Sequence, residues 1–196
     1  MWSTDQPSFA GDAVRPVRSS HARLPGTSPL RWLRPAFSLL ALALTVEAAA
    51  DIKVGDRFPS LAAANLTGGA VPETDGKVLL VDFWASWCAP CKASFPAYAR
   101  LQAEFGSRGL AVIAVSADEN PAAYESFLKK MQPSFATVRD EAHQLARAVN
   151  VPAMPTCFLV GRDGRVRFVH LGFHGAETDL QLHLEIEKTL NEKGPS

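Results

Sequence analysis

Phe83-Trp84-Ala85-Ser86-Trp87-Cys88-Ala89-Pro90-Cys91-Lys92-Ala93-Ser94-Phe95-Pro96 sets two cysteines with two residues between them directly behind a tryptophan, at the end of an apolar run. Lys77 to Ala85 (KVLLVDFWA) is β-branched and aromatic almost without interruption, which predicts a strand buried on both faces. After Cys88, the residues Cys91, Phe95, Tyr98, Leu101 and Phe105 recur at helical spacing, and Gly106 and Gly109 end the helix before a second buried strand, Leu110 to Ala117. Strand, helix and parallel strand make a βαβ unit with the cysteine pair at its first turn.

Three chemistries compete for that pair. A structural zinc site needs four ligands, and the chain offers only Cys157 and five scattered histidines beyond the pair, so no metal is expected. Soft thiolates suit Cu(I), and His143, His170 or His174 could complete a copper site, but nothing in their spacing supports one. A purely structural bridge between residues three apart closes a very small loop and constrains the unfolded chain little. The remaining use is reversible exchange. A thiol at a helix N-terminus has its pKa lowered by unpaired amides and the helix dipole, and Cys88 stands at that junction. Pro90 falls near the first helical position, where its missing donor costs nothing, and Cys91 lies one turn further in, close enough to close the ring. Cys88 is the expected nucleophile and Cys91 the resolving thiol.

The rest of the chain reads as α/β from Asp51 onward. Asp56 to Leu66 is expected to form one short strand, with Gly68-Gly69 turning into a second. Asn120-Pro121 starts a helix lined by Tyr124, Phe127, Leu128 and Met131. A short strand at Phe135 to Val138 leads to Asp140, the expected N-cap of a helix carrying Leu145, Ala146 and Val149. Asp163-Gly164 between Thr156–Gly161 and Arg165–His170 signals a hairpin, and a last helix is expected from near Thr178, with Gln181 completing a capping box.

Val81-Asp82-Phe83-Trp84-Ala85-Ser86-Trp87-Cys88-Ala89-Pro90-Cys91-Lys92, with Pro96 five residues after the second cysteine and Met154-Pro155-Thr156 downstream, resembles the thioredoxin superfamily, specifically its exported TlpA- or ResA-like disulfide reductases. The resemblance covers about Val54 to Leu190. It implies a thioredoxin-like fold: a central mixed sheet flanked by helices, with an N-terminal strand or hairpin extension and an inserted helix after the second core strand. It further implies that Pro155 is cis and faces the cysteines, that the Met154 backbone pairs with an extended client peptide, and that Trp87 offers an apolar flank, with Pro90 and Thr156 completing the substrate surface. Asp82 would lie buried beneath the pair, its pKa raised, and exchange a proton with Cys91. Ser94 stands where many such reductases carry a glutamate, and Ile113, Ala114 and Val115 supply no lysine of the kind cytoplasmic thioredoxins place near the buried acid. Cys157 reads as an inert apolar filler.

The first fifty residues differ in character. Arg31 and Arg34 precede the apolar run Ala36 to Val46, which ends in Glu47-Ala48-Ala49-Ala50; this is the order of a secretory signal, with cleavage expected after Ala50. The run is shorter than the roughly 20 residues of a spanning helix, so a membrane anchor is the less favoured reading. The Pro-containing stretch before Arg31 makes an unusually long charged region. Residues 1–50 are thus read as the signal and 51–196 as one thioredoxin-like domain, periplasmic and monomeric. With 20 basic and 20 acidic residues the formal net charge is zero, and no block of like charge suggests nucleic acid.

The function expected is thiol-disulfide exchange, in the reducing direction, with no cofactor beyond the Cys88–Cys91 couple. Clients would be exported protein thiols or disulfides, apocytochrome c among them, and recharging would need a membrane electron donor of the DsbD or CcdA type. A thiol peroxidase is the nearest alternative, but Val81 and Ala85 stand where its P-x-x-x-T-x-x-C motif needs proline and threonine. A copper relay or non-enzymatic folding factor is the other.

Overall fold

The computed structural model describes residues 51–192; the expected signal segment and the last four residues lie outside the described part. Five strands form one sheet in the order β3-β2-β1-β4-β5. The centre is β1 (Val78–Trp84), every residue of which is buried, as its unbroken apolar run requires. β2 (Leu110–Ser116) runs parallel to it and β3 (Ala136–Arg139) parallel to β2. On the other side β4 (Thr156–Val160) and β5 (Val166–Leu171) are antiparallel. Asp163-Gly164 makes the expected hairpin turn between them, with Gly164 at φ 75°, where a side chain would be strained.

Period-two alternation divides the core. Val78, Leu80 and Trp84 of β1 point to one face, with Phe95, Tyr98, Leu101 and Phe105 of α1 (Ala89–Phe105), Tyr124 and Phe127 of α2 (Pro121–Met131), and Leu182 and Ile186 of α4 (Ala176–Leu190). Leu79, Val81 and Phe83 point to the other, covered by Leu145 and Ala146 of α3 (Gln144–Ala148) and by Phe58 and Leu61. Asp82 shares the face of Leu80 and Trp84, so its carboxyl enters the apolar layer beneath α1. α2 is the inserted helix after the second core strand; Asn120 caps it by accepting from the Ala122 amide at 2.9 Å, with Pro121 at its first turn.

Three local expectations are corrected. Residues 56–69 form no hairpin: the segment holds a short 3-10 turn at Leu61–Ala63 and two isolated bridges, Arg57 to Arg165 and Thr67 to Arg139. Outside that turn, its long-range backbone bonds run to the existing sheet, to Gly164 and Val166 at one edge and to Arg139 at the other. α4 starts at Ala176 behind Gly175, before the expected Thr178, because the Thr178 hydroxyl accepts from the His174 amide at 3.0 Å and the chain is already turning there. α3 begins after His143, in the left-handed region at φ 52°, although Asp140 does supply the cap: its two carboxylate oxygens each accept at 2.8 Å, from the Gln144 and Ala146 amides.

Candidate active site

The strand–helix junction places Cys88 at the N-cap of α1 and Cys91 one turn inside, and the two are joined as a disulfide with Cα atoms 5.3 Å apart. Extended backbone at Cys88 turns its sulfur back over the helix start, where Sγ accepts from the Cys91 amide at 3.2 Å. The same amide and the helix dipole would stabilise a thiolate there once the bridge opens. Cys88 is 4 % exposed and Cys91 fully buried, so a client meets the first sulfur and not the second. Pro90 takes the second helical position, where no intrahelical donor is required of it.

Trp87 stands beside the pair with 72 % of its surface exposed, an unusual position for so large an apolar ring. The Met154-Pro155 peptide, ahead of β4, is cis. Met154 packs against the cluster that contains Cys88, Cys91 and Trp84, and among the described residues its own amide and carbonyl have no hydrogen-bond partner. Pro155 is buried, and its carbonyl accepts from the Gly172 amide at 2.7 Å. Thr156 is also buried, with its hydroxyl committed to the Ala153 carbonyl at 2.7 Å; its side chain therefore shapes the loop from inside and offers nothing to a docked peptide.

Asp82 is fully buried. Oδ1 accepts from the Tyr98 hydroxyl at 2.9 Å, while Oδ2 has no partner among the described residues. Burial drives its pKa well above the ordinary carboxylate range, and the Tyr98 bond opposes only part of that rise. Directly across the sheet from Asp82 lie Ala114 on β2, which carries no charge, and Cys157 on β4. Cys157 is a buried free thiol; its pKa is raised by burial first and by the Asp82 charge second.

Two residues of the site were not singled out in the sequence. Tyr98 read only as one apolar position of a helical stripe. Asp118, just after β2, holds the loop that leads into Cys88: Oδ2 accepts from the Ser86 amide at 2.9 Å and Oδ1 from the Ser86 hydroxyl at 2.8 Å. The Ser116 hydroxyl makes the third bond to this carboxylate, donating to Oδ2 at 2.8 Å. A lone Asp beyond a strand carries no sequence mark of that role. Ser94, in the place of the expected glutamate, is buried and donates to the Cys91 carbonyl at 2.9 Å, so it stiffens the first helical turn without adding charge.

Residues 53–182 match the family model described as Redoxin. The thiol-disulfide oxidoreductase ResA of Bacillus subtilis is 32% identical over 118 residues, 59% of this chain and 66% of that protein. The ResA of Geobacillus kaustophilus is 30% identical over 136 residues, 68% of this chain and 78% of that one. Among solved structures, a candidate thiol:disulfide interchange protein DsbE from Chlorobium tepidum is 32% identical with a TM-score of 0.66, over 71% of this chain and 99% of that chain. StoA from Bacillus subtilis is 26% identical with a TM-score of 0.50, over 57% of this chain and 83% of its own.

Proposed function

The chain belongs to the Redoxin family, among ResA-like thiol-disulfide oxidoreductases of thioredoxin-like fold, and from that premise we propose that it works as an exported disulfide reductase. The observation that carries the reading is the Cys88 sulfur at the N-cap of α1, bridged to a fully buried Cys91 on the face that also holds the Asp82 carboxyl.

In the reduced protein the Cys88 thiolate attacks one sulfur of a client disulfide. A Cys88–client bond forms, the client S–S bond breaks, and the second client sulfur leaves as a thiolate that takes a proton from water. Cys91 then gives its proton to the Asp82 carboxylate and attacks Cys88 Sγ. The enzyme bridge closes, the mixed disulfide breaks, and the client leaves fully reduced by two electrons. The client's extended backbone would pair with the open Met154 amide and carbonyl, and Trp87 would cover its apolar side chains. A two-electron thiol donor at the membrane, of the DsbD or CcdA type, would restore the dithiol, since an exported compartment is oxidising.

The exported location rests on the signal pattern of residues 31–50; no helix among the described residues is long and apolar enough to cross a membrane. Apocytochrome c thiols, as client class, rest on the family resemblance alone, and the protein is proposed to act as a monomer without a bound cofactor. The peroxidase alternative finds buried hydrocarbon, Val81 and Ala85, where its proline and threonine are required. A copper relay would bind Cu(I) without catalysing insulin reduction.

The deciding measurement is the reduction potential of the Cys88/Cys91 couple in glutathione or dithiothreitol buffers. A value below about −220 mV is expected, and one near about −120 mV would make the protein an oxidase. Cys91→Ala is expected to accumulate client mixed disulfides through Cys88; full turnover by Cys88→Ser and Cys91→Ser variants would remove the pair from the chemistry.

A further inference from the structure

A carboxyl taken out of water has four lone-pair sites to satisfy, and each one left empty costs stability. Asp82 has one side-chain partner among the described residues, and that partner comes from α1. Tyr98 lies seven residues after Cys91, so Cys91, Phe95 and Tyr98 share one face of the helix, turned toward β1. Its ring is edge-on to Phe135 and to Phe173, each with centroids 6.3 Å away, which fixes the direction of the hydroxyl. That hydroxyl ends 2.9 Å from Asp82 Oδ1, with both side chains fully enclosed.

We infer that Tyr98 is a positioning residue for disulfide exchange: by donating to Oδ1 it orients the Asp82 carboxyl and leaves Oδ2 as the one oxygen free to take the proton that Cys91 gives up. The inference rests on the proposed role of Asp82 and deepens it. With Oδ1 engaged by a donor, a proton on the carboxyl resides at Oδ2, the atom with no partner among the described residues. The same bond favours the carboxylate over the acid, so it keeps Asp82 ionisable inside an apolar layer that otherwise holds it neutral. No lysine or arginine performs this task from the facing elements. β2 presents Ala114 and β4 presents Cys157. The next groups outward are His170 of β5, opposite Cys157, and Glu185 of α4, joined to each other at 2.6 Å. A neutral phenol thus occupies the position of a counter-charge, and supplies direction where a cation would supply attraction.

The test separates the two thiol steps. Mixing reduced protein with the chromogenic disulfide dithiobis(nitrobenzoate) releases one nitrothiobenzoate on attack by Cys88 and a second on resolution by Cys91, so stopped-flow absorbance gives a pH profile for each phase. In Tyr98→Phe the second-phase inflection, which belongs to the coupled Asp82–Cys91 pair, is expected to move up by about one pH unit or more, the scale of a hydrogen bond to a charged group. The first phase should keep its wild-type profile. An unmoved second-phase inflection would overturn the inference, whatever happened to the melting temperature.

Asp82→Asn tells the two readings apart. If it leaves the wild-type second phase intact, the Asp82 role fails; if it alters that phase while Tyr98→Phe does not, only the Tyr98 role fails. The Asp82→Asn/Tyr98→Phe double variant should match Asp82→Asn in profile, and a further shift would mean that Tyr98 acts by another route. Should Tyr98→Phe not fold, uniform 3-fluorotyrosine substitution keeps the packing and strengthens the donor. The chain has only 2 tyrosines, and the other, Tyr124, bonds to Gly68 and Thr137, away from Asp82. The inflection should then move down, and a profile that stays in place would overturn the inference.

Discussion

A single carboxyl sets the balance between stability and chemistry in this protein. Asp82 is fully buried on the central strand, and burial raises its pKa well above the ordinary value, the Tyr98 bond only partly offsetting the rise. The unfolded chain has an ordinary aspartate, with a pKa of about 3.9. Between that value and the raised folded one, the folded state holds a proton that the unfolded state has lost, so this group makes stability fall as pH rises across the window. Below about pH 3.9 both states are protonated and its full contribution is present. Asp82→Asn cannot ionise. Its unfolding free energy from denaturant titration should lack this downward slope and should exceed that of the wild type at pH 8, by about 1–3 kcal/mol if the penalty is that of one poorly satisfied buried group. A wild-type stability that is flat from pH 5 to 8 while Asp82→Asn gains nothing would contradict the burial argument. Activity should move the other way, because the cost of keeping this acid inside the sheet is what gives Cys91 a base.

Elements show where local chemistry suffices and where it does not. α3 has only five residues, far too few to persist alone, and it starts from a left-handed His143. Asp140 holds it by accepting from two of its amides at once. Asp140→Ala should therefore cost about 1–2 kcal/mol, seen as a lower midpoint with an unchanged m-value; a loss within error would show that packing of Leu145 and Ala146 alone keeps the helix. Asp140 as a cap, α2 behind Asn120-Pro121 and the turn at Asp163-Gly164 were all legible in the sequence, because each is written in adjacent residues. So was the cysteine pair at the start of α1. The entry segment was not: its partners Arg165 and Arg139 are distant in sequence, and a Gly-Gly turn looks the same whether the flanking strands pair with each other or with a sheet edge. Thr178 resembled a cap, but its hydroxyl accepts from within the helix, from the amide of His174 just ahead of the N-cap Gly175. Tyr98 remained hidden for a further reason: Asp82 was expected beneath the cysteine pair, but the spacing that put Tyr98 on the apolar face of α1 did not mark it as the side chain that would reach that carboxyl.

At the scale of the whole molecule, the entry segment closes what the α/β core leaves open. Residues 55–58 bond to the start of β5 and the turn before it, through Gly55 to Val166, Asp56 to Val166 and Phe58 to Gly164, all at 2.8–2.9 Å. Thr67 and Arg139 exchange two backbone bonds at the opposite edge, on β3. Both outer strands are thereby partly paired, which blunts edges that would otherwise recruit another chain. Between these contacts Phe58 and Leu61 enter the second core half, where the Phe58 ring lies 5.4 Å from Phe158, itself edge-on to Phe83 of the central strand. The redox pair, Asp82 and Tyr98 lie on the other side of the sheet. Phe58→Ala should therefore cost about 3–5 kcal/mol, as burial of so large a ring implies. That is a large part of the roughly 5–15 kcal/mol available to a domain of this kind. Because β1 separates the two halves, the folded fraction of Phe58→Ala should reduce insulin with wild-type specific activity and an unchanged couple potential, while its denaturation midpoint drops sharply. A potential displaced along with the midpoint would show that the sheet transmits strain from its covered face to the cysteines, and that the entry segment belongs to the mechanism as well as to the fold.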